Sequence, residues 1–296
     1  MHPATNELAP SLRSASDRTR QIELLKDAYR GARCAIVTCG PSLARLDAER
    51  LRRSLDGVLT IAIKQAVEVV GNQADLLCFN SYNVSRYGVS SPLTIRVFGA
   101  EPSGQVPQLN RFDISLPHAP HASDLSESLV VTRDFDRYLL SCSLERPWGP
   151  GILHEEALFL AVHLGVSELI TVGWDIANDR RNNVHFYDSS SSATFYDKGR
   201  DAHRMARLRG EMPRAVKRAA RWTRALLHHR AGRVYNRTTM LPGEAEAVRD
   251  AIPATSAWLQ SHGTTLRLAS GNSSLTRDVP RIELESLYKE LADQPH

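Results

Sequence analysis

Gly40, Pro41 and Ser42 form the turn whose residue types best suit the binding of a phosphate group. The turn follows the short apolar run Ala35 to Val37 and precedes a helical pattern. Glycine lets the backbone bend sharply and approach a ligand closely, and the fixed φ of proline suits the first helical position. Ser42 can cap the helix, whose free N–H groups would then face an anion. The alternative is an ordinary connection between a strand and a helix.

Two further polar residues follow apolar runs in the same way, and a glycine-rich turn opens a helix. Asn80 ends the run Leu76 to Phe79, Asp175 follows the run Leu169 to Val172, and Gly149-Pro150-Gly151 opens a strongly apolar helix that extends to Leu164. In open parallel sheets, ligands bind outside the carboxyl ends of the strands. We therefore expect these groups to lie near Gly40 at one edge of a sheet.

The elements that must hold these residues alternate between strand and helix along the chain. This spacing predicts an α/β fold, a doubly wound and mainly parallel sheet with helices on both faces. Residues 1–18, rich in Pro, Ser and Ala, predict a flexible N-terminal tail. The main domain is predicted over 19–175 plus 244–291, and the polar and then basic segment 176–243 is predicted to be a basic helical insertion.

Composition narrows the class of protein. The 296 residues are 42% hydrophobic with a net charge of +4, which does not by itself predict a nucleic-acid partner. The N-terminus lacks signal-peptide features, and no apolar run reaches the roughly 18 residues of a membrane span, so we expect a cytoplasmic protein. The four cysteines contain no CxxC pair, which favours reduced thiols over disulfides or a zinc cluster.

The order of these motifs resembles a known family. The strand, Gly-Pro-Ser turn and helix at 35–46, Lys64-Gln65 after a second strand and Asn80 after a third form its first part. Arg146 with Gly149-Pro150-Gly151, the Gly-Trp-Asp-Ile ending at 173–176 and the Asn-Ser-Ser-Leu ending at 272–275 form the rest. Together they look like the bacterial sialyltransferases of the Campylobacter type and the related motility-associated glycosyltransferases that modify flagellin. The likeness covers about half of the chain.

The resemblance implies a modified Rossmann-like domain that holds a CMP-activated acidic sugar under a lid. The residues that it assigns to the nucleotide and donor are Gly40, Pro41, Ser42, Lys64, Asn80, Gly149, Pro150, Gly151, Asp175, Asn272 and Ser273. Two positions depart from the family pattern, because Lys64 replaces an asparagine and Gly149-Pro150-Gly151 replaces Thr-Ser-Gly. These departures leave the identity of the donor open.

The lid of that family supplies a histidine base and tyrosine hydroxyls. His185 lies where such a lid would be, and an ordinary histidine pKa near 6.5 suits proton transfer. The alternatives are a surface histidine, or His203 or His154 as the base. Tyr187 and Tyr196 are the candidate phosphate donors, unless they only pack.

Two charged residues have open roles. Arg146 could offset the charge of the leaving phosphate or a sugar carboxylate, or form a surface ion pair. Asp175 could contact a ribose or an acceptor hydroxyl, or cap a helix. No second aspartate stands two residues after Asp175, so this strand end does not carry the DxD pattern of metal-dependent transferases, and transfer without a metal or other cofactor is predicted.

The basic stretch 198–233 carries Trp222 beside many Lys and Arg residues. It is either a solvated helix face or a surface that lies against an anionic membrane, which would place the protein at the periphery of the inner membrane. The resemblance further implies a glycan, glycolipid or protein acceptor for a surface polysaccharide or similar product, and it allows a homo-oligomer.

Three hypotheses follow. The first is a CMP-sugar-dependent glycosyltransferase that uses a nonulosonic acid or a similar keto-sugar acid. The second is an ATP- and Mg²⁺-dependent enzyme of the pterin diphosphokinase type on a related fold. The third is a non-catalytic nucleotide- or RNA-binding protein.

Overall fold

The computed structural model describes residues 1–80, 91–100, 112–117, 134–147, 151–175, 244–270 and 279–293. These residues form one seven-stranded sheet with helices on both faces. The predicted lid insertion lies outside the described residues, whereas residues 244–270 add a helix and the last strand of the sheet.

All seven strands are parallel, in the order β5-β4-β3-β2-β1-β6-β7. The strands are β1 Arg33–Val37, β2 Leu59–Ile63, β3 Leu76–Asn80, β4 Ile95–Ala100, β5 Ile114–Pro117, β6 Glu168–Val172 and β7 Thr265–Ala269. The predicted α/β, Rossmann-like parallel sheet is therefore confirmed. Strand β5 was not predicted, because it is only four residues long within a stretch rich in Pro and His.

The strand order reverses direction between β1 and β6. Strands β2 to β5 follow one another on one side of β1, whereas β6 and β7 lie on its other side. Ile36 of β1 is in register with Ile61 of β2 and with Thr171 of β6. The helix after β1 and the helix before β7 pack on opposite faces of the sheet, and in open α/β sheets the ligand crevice lies at such a reversal. We call this the switch-point crevice.

Alternate strand residues face two separate cores. Ile36 and Ile61 pack in one core, against α1, α2, α5 and α6, while Val37 and Ala62 pack in the other, against α3, α4 and α7. This burial on both faces explains why the strands read as continuous apolar runs. The α-helices are α1 Thr5–Ser14, α2 Arg18–Leu25, α3 Ala48–Ser54, α4 Ala66–Val70, α5 Leu158–His163, α6 Glu244–Ser261 and α7 Leu284–Ala292.

The prediction of a flexible tail over residues 1–18 is wrong for residues 5–14, which form α1. Leu8, Ala9 and Leu12 lie on one face of this helix and are buried in the first core. The Thr5 hydroxyl is hydrogen-bonded to the Tyr29 hydroxyl at 2.8 Å, which fixes the start of the helix. Pro10 misled the prediction, yet it lies on the exposed face of α1 and leaves the packed face intact.

Across the described residues, no helix is long and apolar enough to cross a membrane.

Candidate functional site

The switch-point crevice is walled by the loops that follow β1 and β6. Thr38 N–H donates to the Val172 carbonyl at 2.9 Å, and Gly40 N–H donates to the Gly173 carbonyl at 3.0 Å. Ser42 N–H donates to Asp175 Oδ2 at 2.7 Å. The two loops are therefore tied together from the end of the strands outwards.

Glycine is required at position 40 because a side chain would not fit there, and not because of the backbone conformation. Its φ of −66° is open to any residue, but a Cβ at this position would overlap the Gly173 carbonyl oxygen and lie 2.5 Å from Asp175 Oδ2. The sequence predicted that a ligand would approach the backbone of Gly40 closely. In the structure the loop after β6 occupies that space.

The chain itself uses the N–H groups that were expected to face a phosphate. Asp175 occupies the Ser42 N–H, and the Gly173 carbonyl occupies that of Gly40. The helical pattern predicted after Ser42 is also interrupted: Pro41–Arg45 is a single 3₁₀ segment, and α3 starts only after Asp47, whose side chain caps it. The hypothesis of a helix N-terminus aimed at a phosphate is corrected accordingly, because an anion at Ser42 must first displace the Asp175 carboxylate.

Buried polar atoms without a partner gather around the same crevice. They have no hydrogen-bond partner in the part of the chain that the structure describes, and they are Ser42 Oγ, Asp175 Oδ1, Thr171 Oγ1 and Ser270 Oγ. Ser42 is 4% exposed, and Ser270 follows β7, next to β6. A buried polar group without a partner costs about 1–3 kcal/mol, so such groups are concentrated where a ligand supplies the missing bonds. Hydroxyls and a carboxylate of this kind match the hydroxyl groups of a ribose or another sugar.

The helix after Gly151 begins with a wide turn that carries three polar residues. Leu153–Ala157 is π-helical, and only from Leu158 does the chain continue as α5. His154, Glu155 and Glu156 on this π-turn are at most 3% exposed. Short π-helical turns inside α-helices often occur at functional sites.

His154 faces the loop after β6. Its ring lies 5.2 Å from the Trp174 ring, edge on, and neither ring nitrogen has a hydrogen-bond partner among the residues described. Burial lowers the pKa of His154 to about 4. At neutral pH the imidazole is therefore uncharged and can both donate and accept a hydrogen bond.

Glu156 is a carboxyl group held in the interior. Burial raises its pKa to about 8, and this effect exceeds the opposing effects of the Cys78 thiol, Arg146 and Lys64. Neither carboxyl oxygen has a hydrogen bond of ordinary geometry within the described part of the chain. At neutral pH the group is therefore mostly a neutral acid.

Arg146 has contacts different from those predicted. Its side chain is fully buried, and its guanidinium donates to the carbonyl oxygens of Tyr138, at 2.7 Å, Ser143 and Leu144. Burial lowers its pKa to about 10, with Glu156 as the main opposing charge. In this structure Arg146 is buried and holds its own loop together, so neither the predicted contact with a leaving group nor a surface ion pair describes it.

Lys64 has a left-handed backbone, with a φ of +50°, which is uncommon for a residue other than glycine. It follows β2, and its neighbour Cys39 donates its thiol to the Ile63 carbonyl at 3.2 Å. Desolvation lowers the pKa of the Lys64 ammonium, while Glu155, Cys39 and Glu156 oppose that shift. Lys64 therefore links the loop after β1 to the π-turn.

The structure describes only some of the remaining predicted site residues. The backbone of Asn80 ends β3, two strands from β1 and thus about 10 Å from the crevice. Gly151, at a φ of +114°, has open space where a Cβ would lie. The remaining candidates lie outside the described residues: Gly149, Pro150, His185, Tyr187, Tyr196, His203, Asn272 and Ser273.

The sequence analysis did not identify Glu155 and Glu156. The available signal was three consecutive polar residues at the start of an otherwise apolar helix, a pattern that ordinarily indicates an exposed first turn. Among the described residues, no three His, Cys, Asp or Glu side chains are arranged to hold a metal ion.

Comparisons of the chain with protein-family models, with curated proteins and with solved structures returned no match.

Proposed function

We propose that the chain is a glycosyltransferase that moves a sialic-acid-like nonulosonate, or a similar acidic keto-sugar, from a CMP-activated donor to a hydroxyl group. The acceptor is a glycan, a lipid-linked sugar or a protein. One observation carries the proposal: buried polar atoms that have no partner among the described residues lie at the switch-point crevice, where open parallel sheets bind nucleotides.

The polar groups of the crevice suit the sugar parts of such a donor. Asp175 Oδ1 can accept a hydrogen bond from a ribose hydroxyl while Oδ2 keeps its bond to Ser42 N–H. The Ser42 and Ser270 hydroxyls can donate to or accept from further hydroxyls of the ligand.

The transfer step needs a base for the acceptor hydroxyl and donors for the departing phosphate. By the family resemblance, His185 is the base and Tyr187 and Tyr196 are the donors. The same resemblance, together with the lack of a second aspartate two residues after Asp175, favours transfer without a metal ion. Unchanged activity after treatment with a chelator is the expected result.

A panel of nucleotides tests the proposal through thermal unfolding. Only a ligand that prefers the native state raises the unfolding temperature, by an amount that corresponds to about 2.7 kcal/mol at a hundred times its dissociation constant. We expect CMP to raise this temperature more than AMP or UMP does, with no requirement for Mg²⁺.

Two serine variants locate the binding. Ser42→Ala removes a hydroxyl that has no described partner, so we expect unchanged stability but about fivefold weaker CMP binding, the value of one hydrogen bond. Ser167→Ala, at the opposite edge of the sheet, is the matched control and should leave CMP binding unchanged.

Other outcomes of the panel would replace the proposal. A preference for ATP with Mg²⁺ would favour the diphosphokinase-type enzyme. Binding of polyanions that weakens steeply with salt would favour a nucleic-acid-binding protein. If neither CMP nor CMP-linked sugars raise the unfolding temperature, the proposal of a glycosyltransferase is contradicted.

A further inference from the structure

Two carboxyl groups and two cations near the carboxyl edge of the sheet interact electrostatically with one another. Glu155 and Glu156 come from the π-turn, Lys64 from the loop after β2, and Arg146 from the loop that precedes the π-turn. Glu155 and Glu156 are 3% and 0% exposed. We call these four residues the Lys64 cluster.

Among the described residues, the two thiols that interact with the cluster are uncharged at neutral pH. The Cys39 thiol, after β1, has a pKa raised to about 11 by burial, and the pKa of the Cys78 thiol on β3 is raised well above its ordinary value for the same reason. His154 is neutral, as shown above. Glu145 also acts on Arg146, but it is exposed.

The charges of the cluster leave a positive excess near neutral pH. Glu156 is held mostly as a neutral acid, so Glu155 alone faces the two cations. Arg146 is fully buried and bonded to three carbonyls, whereas Lys64 is only partly buried. Of the two cations, Lys64 is therefore the less buried one.

Lys64 also lies beside unsatisfied groups of the crevice. Its charge acts on Cys39, the residue before Gly40, and the Ser42 hydroxyl lies two residues further on without a described partner. The unpartnered His154 ring belongs to the same π-turn as Glu155. These buried, unpaired atoms point to a ligand next to the cluster.

We propose that Lys64 binds an anionic group of the ligand, a phosphate or a carboxylate, and that the Glu155–Glu156 pair takes up a proton when this group binds. The inference rests on the proposed function for the identity of the nucleotide, but not for the anion site itself. An arriving anion competes with Glu155 for Lys64, and its charge disfavours a second ionised carboxylate nearby. The proton comes from solvent and is held on a carboxyl oxygen of the pair.

Calorimetric titration at pH 8.5 tests this coupling, because Glu156 is then largely ionised in the free protein. The probes are CMP, inorganic phosphate and free sialic acid, each in two buffers with different enthalpies of ionisation. The difference in heat between buffers gives the number of protons taken up, and we expect about half a proton or more per bound anion. CMP and phosphate report a phosphate site, and sialic acid reports a carboxylate site.

Three variants of the Lys64 cluster and one control variant outside it test which residues bind the anion and take up the proton. Glu156→Gln mimics the neutral acid, so it should bind as well as the wild type or better and lose most of the proton uptake. Lys64→Met should weaken binding by about tenfold or more, since a charge-assisted bond is lost, and Lys64→Arg should recover part of it. Glu145→Gln removes an exposed carboxylate near Arg146 and should change neither quantity.

The results separate this inference from the proposed function. Proton uptake with inorganic phosphate but no preference for CMP would support the anion site and contradict the glycosyltransferase. Heats that do not depend on the buffer, or a Glu156→Gln variant that keeps the full uptake, would overturn the coupling. Failure of all three probes to bind would overturn the anion site.

Discussion

At the scale of single residues, the switch-point crevice and its neighbourhood contain polar groups that lack a described hydrogen-bond partner or are held in an unusual protonation state. Asp175 uses one oxygen to hold Ser42 N–H and keeps the other without a described partner. Glu156 is fully buried beside a thiol, an ammonium and a guanidinium, and it stays protonated near neutral pH. Such arrangements are costly to fold and are found where a ligand or a reaction uses them.

The buried Glu156 predicts how stability depends on pH. Its pKa is about 8 in the folded protein against 4.5 ordinarily, so the folded state holds this proton more strongly than the unfolded state does. The wild type should therefore lose stability as pH rises from about 4.5 to 8, whereas Glu156→Gln lacks this loss. Between pH 5 and 8, the free energy of unfolding of the variant should gain about 2–4 kcal/mol relative to the wild type.

Urea unfolding of both proteins at pH 5, 6.5 and 8 measures this difference. The lowered pKa of His154 has the opposite effect on stability, present above its ordinary value and lost as pH falls toward 4, but it is common to both proteins and cancels. A difference in stability that stays constant with pH would show that Glu156 is ionised throughout.

At the scale of elements, packing decided features that local patterns did not predict. The N-terminal segment has a Pro and several Ser residues, yet Leu8, Ala9 and Leu12 bury one helical face. Conversely, the run after Gly40 has a helical pattern but breaks at Leu46. The π-turn could not be predicted from the sequence, because the wider turn does not change the residue pattern of an apolar helix in a recognisable way. Glu155 and Glu156 on this turn are buried.

Helix α1 predicts a clear difference between two substitutions. Leu12→Ala removes a fully buried side chain and should cost about 2–5 kcal/mol of unfolding free energy. Ser11→Ala, on the exposed face of the same helix, should change it by about 0.5 kcal/mol or less. Denaturant unfolding measures both, and equal, small effects would mean that residues 5–14 do not pack as α1.

At the scale of the whole molecule, the sequence predicted the class of fold but not the order of its strands. Apolar runs such as Leu59–Ile63 and alternating helices indicated a parallel sheet, and six of the strands could be recognised. The position of β6 beside β1 depends on contacts between residues more than 130 apart, such as Arg33 with Glu168, which no local pattern encodes. That long-range pairing brings Gly40 and Asp175 together and so creates the crevice.

The opposite edge of the sheet offers a contrasting location for a ligand. A cavity of about 110 Å³ lies there, between the start of β1, the start of β6 and the residues before β2. Its walls include Gly31, Arg33 and Glu168, and Arg33 and Glu168 are already paired with each other. Within the described part of the chain, Ser42, Asp175 and Ser270 at the carboxyl edge have polar atoms without a partner, which favours that edge as the place of the nucleotide.

Hydrogen exchange of the backbone amides with and without CMP tests this central claim most directly. We predict slower exchange on CMP binding at residues 38–43, 151–156 and 173–175, the loops that wall the crevice and the π-turn. Residues 31–33, 57 and 167–168, around the cavity at the opposite edge, should exchange as before. Protection confined to that opposite edge, or no protection at saturating CMP, would contradict the account.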